Sequence, residues 1–523
     1  MISKTSNFKQ WVKNINQDVL WFIFLLSSAL IIYLIGLGNL PLRDWDEGYY
    51  ATVAKDIYKS GNWLYMTYHN EPFLLKPPLI IWLINVSYLI GGINEFTTRF
   101  PCTFLTACGV PLLYLIGRNI FPRRLTAILS TLVYLTLLPM VRHGRLAMLD
   151  GPINTFFLFS FFCLLQSYHQ RFWIIGVGVG LGLIAFTKGI LVIALGVILG
   201  IFCFLNKSLK TINNFVFYKG FILGFFPVFL WYSLQIIEYG EKFIKIHFLQ
   251  QNFDRLSTAV EGNQGSIWYY IIELVKYTFP WILFFPGGLI LAVKKYKQSW
   301  AKLVLVGVVL FIVIISLMKT KLPWYITPVY PFFSLAIGAY LAKLLQNPYK
   351  SYPNILGVIL FISSFVFLIG GTYFSIKTND FQIVVLSTLM GITLFISYVN
   401  FLQKSRNFIF TLFVGLYLSL STFVISNFWI WELNESFPVK PVATLIRENT
   451  PPNTVVYTSY SYSRTSLDFY SDRQVIAKNL EELNKPADVS FYLLLDPLAL
   501  KNLNLDDYKI LGTTQDFILV KKY

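Results

Sequence analysis

The sequence predicts an α-helical polytopic membrane protein with a small α/β soluble domain at its C-terminal end. Three observations lead there. Of 523 residues, 55% are hydrophobic and 13% charged, with a mean hydropathy of +0.59; soluble domains carry about 25% charged residues. About thirteen apolar runs approach the ~20 residues that a spanning helix needs. After about Asn427 the composition turns polar, and Pro438, Pro441, Pro451 and Pro452 follow closely.

The first run, 19–38, follows Lys4, Lys9 and Lys13. It is longer than a signal-peptide core and lacks a small-residue cleavage site after it, so it reads as an uncleaved span. Further candidates are 98–118, 125–141, 152–168, 172–187, 189–205, 216–237, 268–293, 303–318, 322–343, 353–374, 381–402 and 407–429. The run 78–92 is apolar but short and opens on two prolines, which suits a dipping or surface helix. Gly176, Gly178, Gly180 and Gly182 mimic a nucleotide loop. They lie inside an apolar run with no strand before them and no acid after them, so close helix packing is the better reading. Cys102, Cys108, Cys163 and Cys203 sit in apolar segments without metal or redox spacing and read as small buried hydrophobes.

The net charge of +17 sits mainly in short loops. With the N-terminus in the cytoplasm, cytoplasmic loops hold Arg118, Arg123, Arg124, Arg171, Lys207, Lys210, Lys219, Lys294, Lys295, Lys297, Lys302, Lys343, Lys350, Lys404 and Arg406, and no acid. The opposite loops hold Asp44, Asp46, Glu47, Asp56, Glu71, Glu95, Asp150, Glu238, Glu241, Asp254, Glu261 and Asp380. This is the positive-inside pattern. It predicts that the acidic loops and residues 430–523 are extracytoplasmic, and it removes the need for a nucleic-acid partner. In 430–523, β-like runs at 454–459, 490–495, 508–512 and 517–520 alternate with expected helices at 440–449 and 479–484. That is an α/β domain of about 90 residues. Arg464, Asp468 and Asp472 there read as a solvated face, with a site as the alternative.

Five constellations carry possible chemistry. The first loop (39–97) opens with Asp44, Asp46 and Glu47 just before an expected surface helix at about 47–59, whose Tyr50, Val53, Ala54, Ile57 and Tyr58 share one face. Helix capping is the alternative for one acid, but three exceed what a cap needs. A carboxylate here suits a general base. Lys76, fixed before Pro77 and Pro78, suits a phosphate, against a lysine snorkelling to headgroups. Arg142, His143 and Arg145, followed by Asp150, read as an anion site, with interfacial anchoring and capping as the alternative. The loop 238–267 holds His247, Asn252, Asp254, Arg255 and Asn263; a lone histidine is weak grounds for a metal. In Lys319-Thr320-Lys321-Leu322-Pro323-Trp324-Tyr325, the two lysines place cations against the positive-inside bias, which argues for a ligand.

The order of these motifs carries a resemblance. Asp46-Glu47 with Tyr50-Ala51, then Lys76-Pro77-Pro78-Leu79, Arg145 with Asp150-Gly151-Pro152, His247-Phe248 with Asn252 and Arg255, and Lys319, Lys321-Leu322-Pro323 with Tyr325 resemble bacterial membrane glycosyltransferases of the GT-C superfamily. Lipid A aminoarabinose transferases and protein O-mannosyltransferases are the most similar branches, over most of 19–345. The resemblance implies the GT-C fold in a transmembrane domain 1–429 and a polyprenyl-phosphate-sugar donor used outside the cytoplasm. It also implies functional roles for Asp46, Glu47, Lys76, Asp150 and Tyr325. The acceptor stays open among lipid, protein and glycan. Aminoarabinose transferases carry an acid, associated with a metal, before the lysine; Leu75 stands here. A divalent metal therefore stays open, and no nucleotide cofactor is expected.

The expected reaction is an inverting sugar transfer in a bacterial inner membrane. Asp46 or Asp44 acts as base, and Lys76 with Arg142 or Arg145 stabilises the phosphate left on the carrier. The rival is a transporter or flippase of lipid-linked sugars. Transporters place ionisable groups at mid-membrane, whereas the acids here fall at span ends.

Overall fold

The computed structural model describes residues 2–208, 215–254, 262–346, 352–429, 437–460, 463–484, 491–503 and 508–523. The chain divides into two compact units. The first comprises Met1–Gly36, Leu74–Leu79 and Cys102–Trp429; the second comprises Leu37–Phe73, Ile80–Pro101 and Ile430–Tyr523. The second unit thus joins most of the first loop to the C-terminal segment.

Among the described residues, nine helices are long and apolar enough to cross a membrane. Two further pairs are broken: Arg124–Leu135 with Leu138–Gly144, bent by 58°, and Tyr269–Tyr277 with Trp281–Lys294, bent by 112°. Pro139 and Pro280 lie at these breaks, where a missing N–H and a ring clash end the helical ladder. Length and composition thus account for nine to eleven of the thirteen expected crossings. The other two runs form the helices Asp150–Ser167 and Leu191–Leu205.

In the first unit the glycine run works as packing. A Cβ on Gly178 or Gly182 of the helix Ile174–Lys188 would strike the backbone of Gly220 or Gly224 on the helix Phe215–Phe243. A Cβ on Gly176 or Gly180 would strike Cys163 or Ser160 on the helix Asp150–Ser167. Alternate glycines therefore serve two neighbours, as small residues do at helix contacts in lipid. Cys102, Cys163 and Cys203 are buried, and Cys108 is partly so.

The second unit contains the first-loop helix Asp46–Ser60, the hairpin of β1 (Thr67–Tyr68) and β2 (Glu71–Pro72), and the helix Leu79–Gly91 from Ile80 onward. Its sheet has five strands: β3 (Val455–Thr458), β4 (Gln474–Ala477), β5 (Phe491–Leu495), β6 (Tyr508–Thr514) and β7 (Phe517–Lys522), in the order β4-β3-β5-β7-β6. β3 pairs in parallel with β4 and β5, whereas β7 pairs antiparallel with β5 and β6. Val439, Val442, Ala443 and Ile446 form one stripe of the helix Val439–Asn449 and pack on Val456, Val475, Leu494 and Leu519. Leu493, Leu495 and Val520 face Leu483, Ala499 and Leu503 on the other side. The period of two along the strands fills both faces. The expected α/β domain is present, with β4 and the helices Thr465–Ser471 and Pro497–Asn502 in addition.

Candidate active site

Within the second unit the three clustered acids separate into different roles. Asp44 is 6% exposed. It accepts from Arg464 Nη1 at 2.8 Å, from the Ser466 backbone N–H at 3.1 Å, and from the Ser466 hydroxyl. Glu47 is buried and takes a two-pronged bond from Arg99, Nε to Oε1 and Nη2 to Oε2, each 2.9 Å. Its Oε2 also accepts from the Arg43 backbone N–H at 2.8 Å. Arg99 is fully buried and donates to the carbonyls of Leu37, Leu40 and Pro41, which fixes the chain leading to the acids. Asp46 is half-buried and accepts from Tyr50 Oη at 3.2 Å, one turn along the helix. The helix begins after Trp45, whose φ of 65° and ψ of −129° are rare for a side-chain-bearing residue, and it has no side-chain cap bond. Asp44 therefore does not cap this helix but reaches across to residues 464–466, while Asp46 and Glu47 lie in its first turn, the end that favours negative charge.

The solvated-face reading of Arg464 and Asp468 is overturned. Both are buried: Asp468 accepts from Tyr68 Oη and from the Val475 N–H. Sequence distance hides this, because the side-chain partners Asp44 of Arg464 and Tyr68 of Asp468 lie about four hundred residues away. Asp472 accepts from Lys55 and Lys59, each at 2.7 Å. Burial pushes its carboxyl up, but the two lysines outweigh that and hold it below the usual carboxylate range.

Within the first unit Lys76 is half-buried and donates to Gln251 Oε1 at 3.0 Å. The turn before it is pinned by His247. Nδ1 lies 3.0 Å from the Leu74 carbonyl, which can only accept, so that nitrogen carries the proton. Nε2 then accepts from Tyr232 Oη at 2.8 Å. His247 is thus a satisfied buried histidine on a wide-turned segment, Ile244–Phe253. It serves the Lys-Pro-Pro turn rather than a metal. Asp150 accepts from Lys188 at 2.7 Å, and the same ammonium lies 5.1 Å from the centre of the Tyr325 ring. Lys188 closes the helix that carries the glycine run. Sequence reading passed it over as the end of an apolar segment.

Two expected phosphate ligands are engaged elsewhere. Arg145 is fully buried and donates to the carbonyls of Ile32, Tyr33 and Val424, near the C-terminal ends of two helices. Lys321 donates to the carbonyls of Ile315 and Ser316 at the end of the helix Phe311–Leu317. Terminal carbonyls without helical partners attract such cations. Arg142, also buried, donates to the Trp429 carbonyl at 3.2 Å. Arg255 and the side chain of Asn252 lie outside the described residues. Among the described residues, no three His, Cys, Asp or Glu side chains gather as metal ligands would.

A body of apolar helices with broken spans is what this chain shares with the multi-pass membrane glycosyltransferases of the GT-C fold, which it resembles. The comparisons with known proteins carry it further. Residues 21–238 match the family described as dolichyl-phosphate-mannose-protein mannosyltransferase. The chain is 28% identical over 343 residues to the undecaprenyl phosphate-alpha-4-amino-4-deoxy-L-arabinose arabinosyl transferase of Yersinia pestis (strain Pestoides F), covering 63% of this chain and 61% of that enzyme. It is 25% identical to an uncharacterized protein of Aquifex aeolicus (strain VF5) over 473 residues, 90% of each chain. In structure it is similar to ArnT from Cupriavidus metallidurans bound to undecaprenyl phosphate, with a TM-score of 0.79, 18% identity, and coverage of 96% of this chain and 98% of that one. The chain thus resembles the aminoarabinose transferases and protein O-mannosyltransferases, as the order of its motifs implied. The apolar helices and these relatives fit a multi-pass protein of the bacterial inner membrane.

Proposed function

We propose that this protein transfers a sugar from a polyprenyl-phosphate donor to a lipid, protein or glycan acceptor on the extracytoplasmic face, with inversion and with Asp46 as general base. The observation that carries the reading is the division of labour among the acids. Asp44 and Glu47 are buried against arginines, and Asp46 is the one of the three that is not fully buried. An acceptor hydroxyl or amine attacks the anomeric carbon, and Asp46 takes its proton. The bond from that carbon to the phosphate oxygen breaks, and the electron pair leaves on polyprenyl phosphate. Lys76, held on its turn by the His247–Leu74 bond, stabilises that charge. The matched mannosyltransferase family and the arabinosyl transferase relative both name lipid-phosphate-linked sugars, which supports the donor class.

The test compares envelope lipids, glycans and glycoproteins, by mass spectrometry, in cells with and without the protein. The product lost on deletion names the acceptor. Asp46→Asn keeps the side chain's size and removes the base, so it should lower that product by about 10²-fold or more. Wild-type product levels from Asp46→Asn would remove the base and reopen the flippase reading.

A further inference from the structure

We propose that residues 464–466 of the C-terminal segment position the Asp46 carboxylate, acting through Asp44 and the Trp45 carbonyl. The inference rests on the reading of Asp46 as base and concerns the second unit alone. Three successive residues on one side hold two successive residues on the other. Arg464 and Ser466 hold Asp44, and Thr465 Oγ1 donates to the Trp45 carbonyl at 3.1 Å. The next residue after this pair is Asp46.

Trp45 needs such a hold. Its φ of 65° is disfavoured for a residue with a Cβ and persists only where the surroundings over-determine it. The start of the first-loop helix sits directly on the clamp: a Cβ at Gly48 would lie 2.7 Å from the Thr465 carbonyl carbon and 2.8 Å from the Ser466 nitrogen. Arg464 is itself oriented by aromatic faces, 3.9 Å from the Phe437 ring centre and 5.1 Å from that of Tyr460. On the far side Glu47 is held by Arg99. Residue 46 is thus bracketed by two arginine–carboxylate pairs, one reaching it from a segment about four hundred residues away. Attachment alone does not call for a buried ion pair, since apolar packing holds surfaces together without the desolvation cost. What the pair adds is direction: it sets the backbone that aims the next side chain.

The test uses the full-length chain in lipid nanodiscs, with Arg464→Ala, Asp44→Asn, the double variant and Arg464→Lys. Hydrogen exchange reads residues 44–50, thermal melting reads the whole chain, and binding of undecaprenyl phosphate reads the donor site. Product per folded protein is read in cells. Arg464→Ala should raise exchange at 44–50 and lower product by about 10²-fold, the effect of a misplaced catalytic group. Undecaprenyl phosphate affinity should stay within about twofold of the parent, because the donor's phosphate is assigned to other residues. The double variant should be no worse than the worse single variant, since both remove one interaction. Arg464→Lys should recover part of the product. Unchanged exchange at 44–50, additive losses, or a product loss matching only the loss of folded protein would each overturn the clamp. Wild-type product from Asp46→Asn would instead overturn the base reading, leaving the exchange result to stand by itself.

Discussion

A carboxylate earns a chemical role only when the protein leaves it something to do. Asp44 and Glu47 are occupied by Arg464 and Arg99, and replacing either would strand a buried guanidinium. Their variants should therefore lose folded protein as well as turnover. Asp46 accepts from one tyrosine hydroxyl and remains half-buried, so its variants should lose turnover alone. The cations divide similarly. Arg145 and Lys321 are spent on helix-end carbonyls, whereas Lys76 is held by its turn and bonded to a side-chain amide. Lys76→Ala should weaken undecaprenyl phosphate binding by about tenfold, the scale of a charge-assisted bond, and leave melting near the parent value. Donor affinity unchanged by that variant would return Lys76 to the role of an interfacial anchor.

Elements here are shaped by what they must approach. The helix Ile174–Lys188 spaces its glycines so that two neighbours come within backbone contact, and Gly178 meets main chain rather than a side chain that can move aside. Gly178→Ala should therefore destabilise by about 1–3 kcal/mol, the range for overpacking. Gly196→Ala is the control, because nothing lies within 4 Å of a Cβ there. A lower melting temperature for Gly178→Ala, with Gly196→Ala unchanged, is the expected pair of results; equal melting would return the glycine run to a role other than packing. The segment Ile244–Phe253 shows the same economy of purpose. Its wide turns place His247 where one ring nitrogen holds the Leu74 carbonyl and the other meets Tyr232. Such wide turns recur at functional sites.

At the scale of the whole molecule, the two units differ in composition. The first is a body of apolar helices; the second carries a sheet with a core on both faces and a polar first loop. The distribution of Lys and Arg among the loops predicts which side of the membrane the second unit faces. A reporter active only in the cytoplasm, fused after Asn427, should be silent, and one active only outside should work. Cytoplasmic activity at that junction would invert the orientation and place the acid cluster where a donor used outside could not be reached.

Sequence alone determined the solvent of each segment, because burial in lipid requires long apolar runs and charge counts against crossing. It also determined the first-loop helix, the C-terminal α/β character, the packing role of the glycine run and the order of motifs that resembles the GT-C glycosyltransferases. Each of these is a local pattern: a period, a composition, or a spacing within a few dozen residues. Which acid stays partly exposed was decided by tertiary structure, because the partners that occupy Asp44 and Glu47 stand at 464–466 and 99. The same holds for Arg145 and Lys321, whose charges looked available until helix ends came to lie against them, and for Lys188, which gained meaning only beside Asp150 and Tyr325. A sequence shows what a side chain can bond; only the fold shows which of those bonds are already made, since the partners are brought together by packing and not by proximity along the chain.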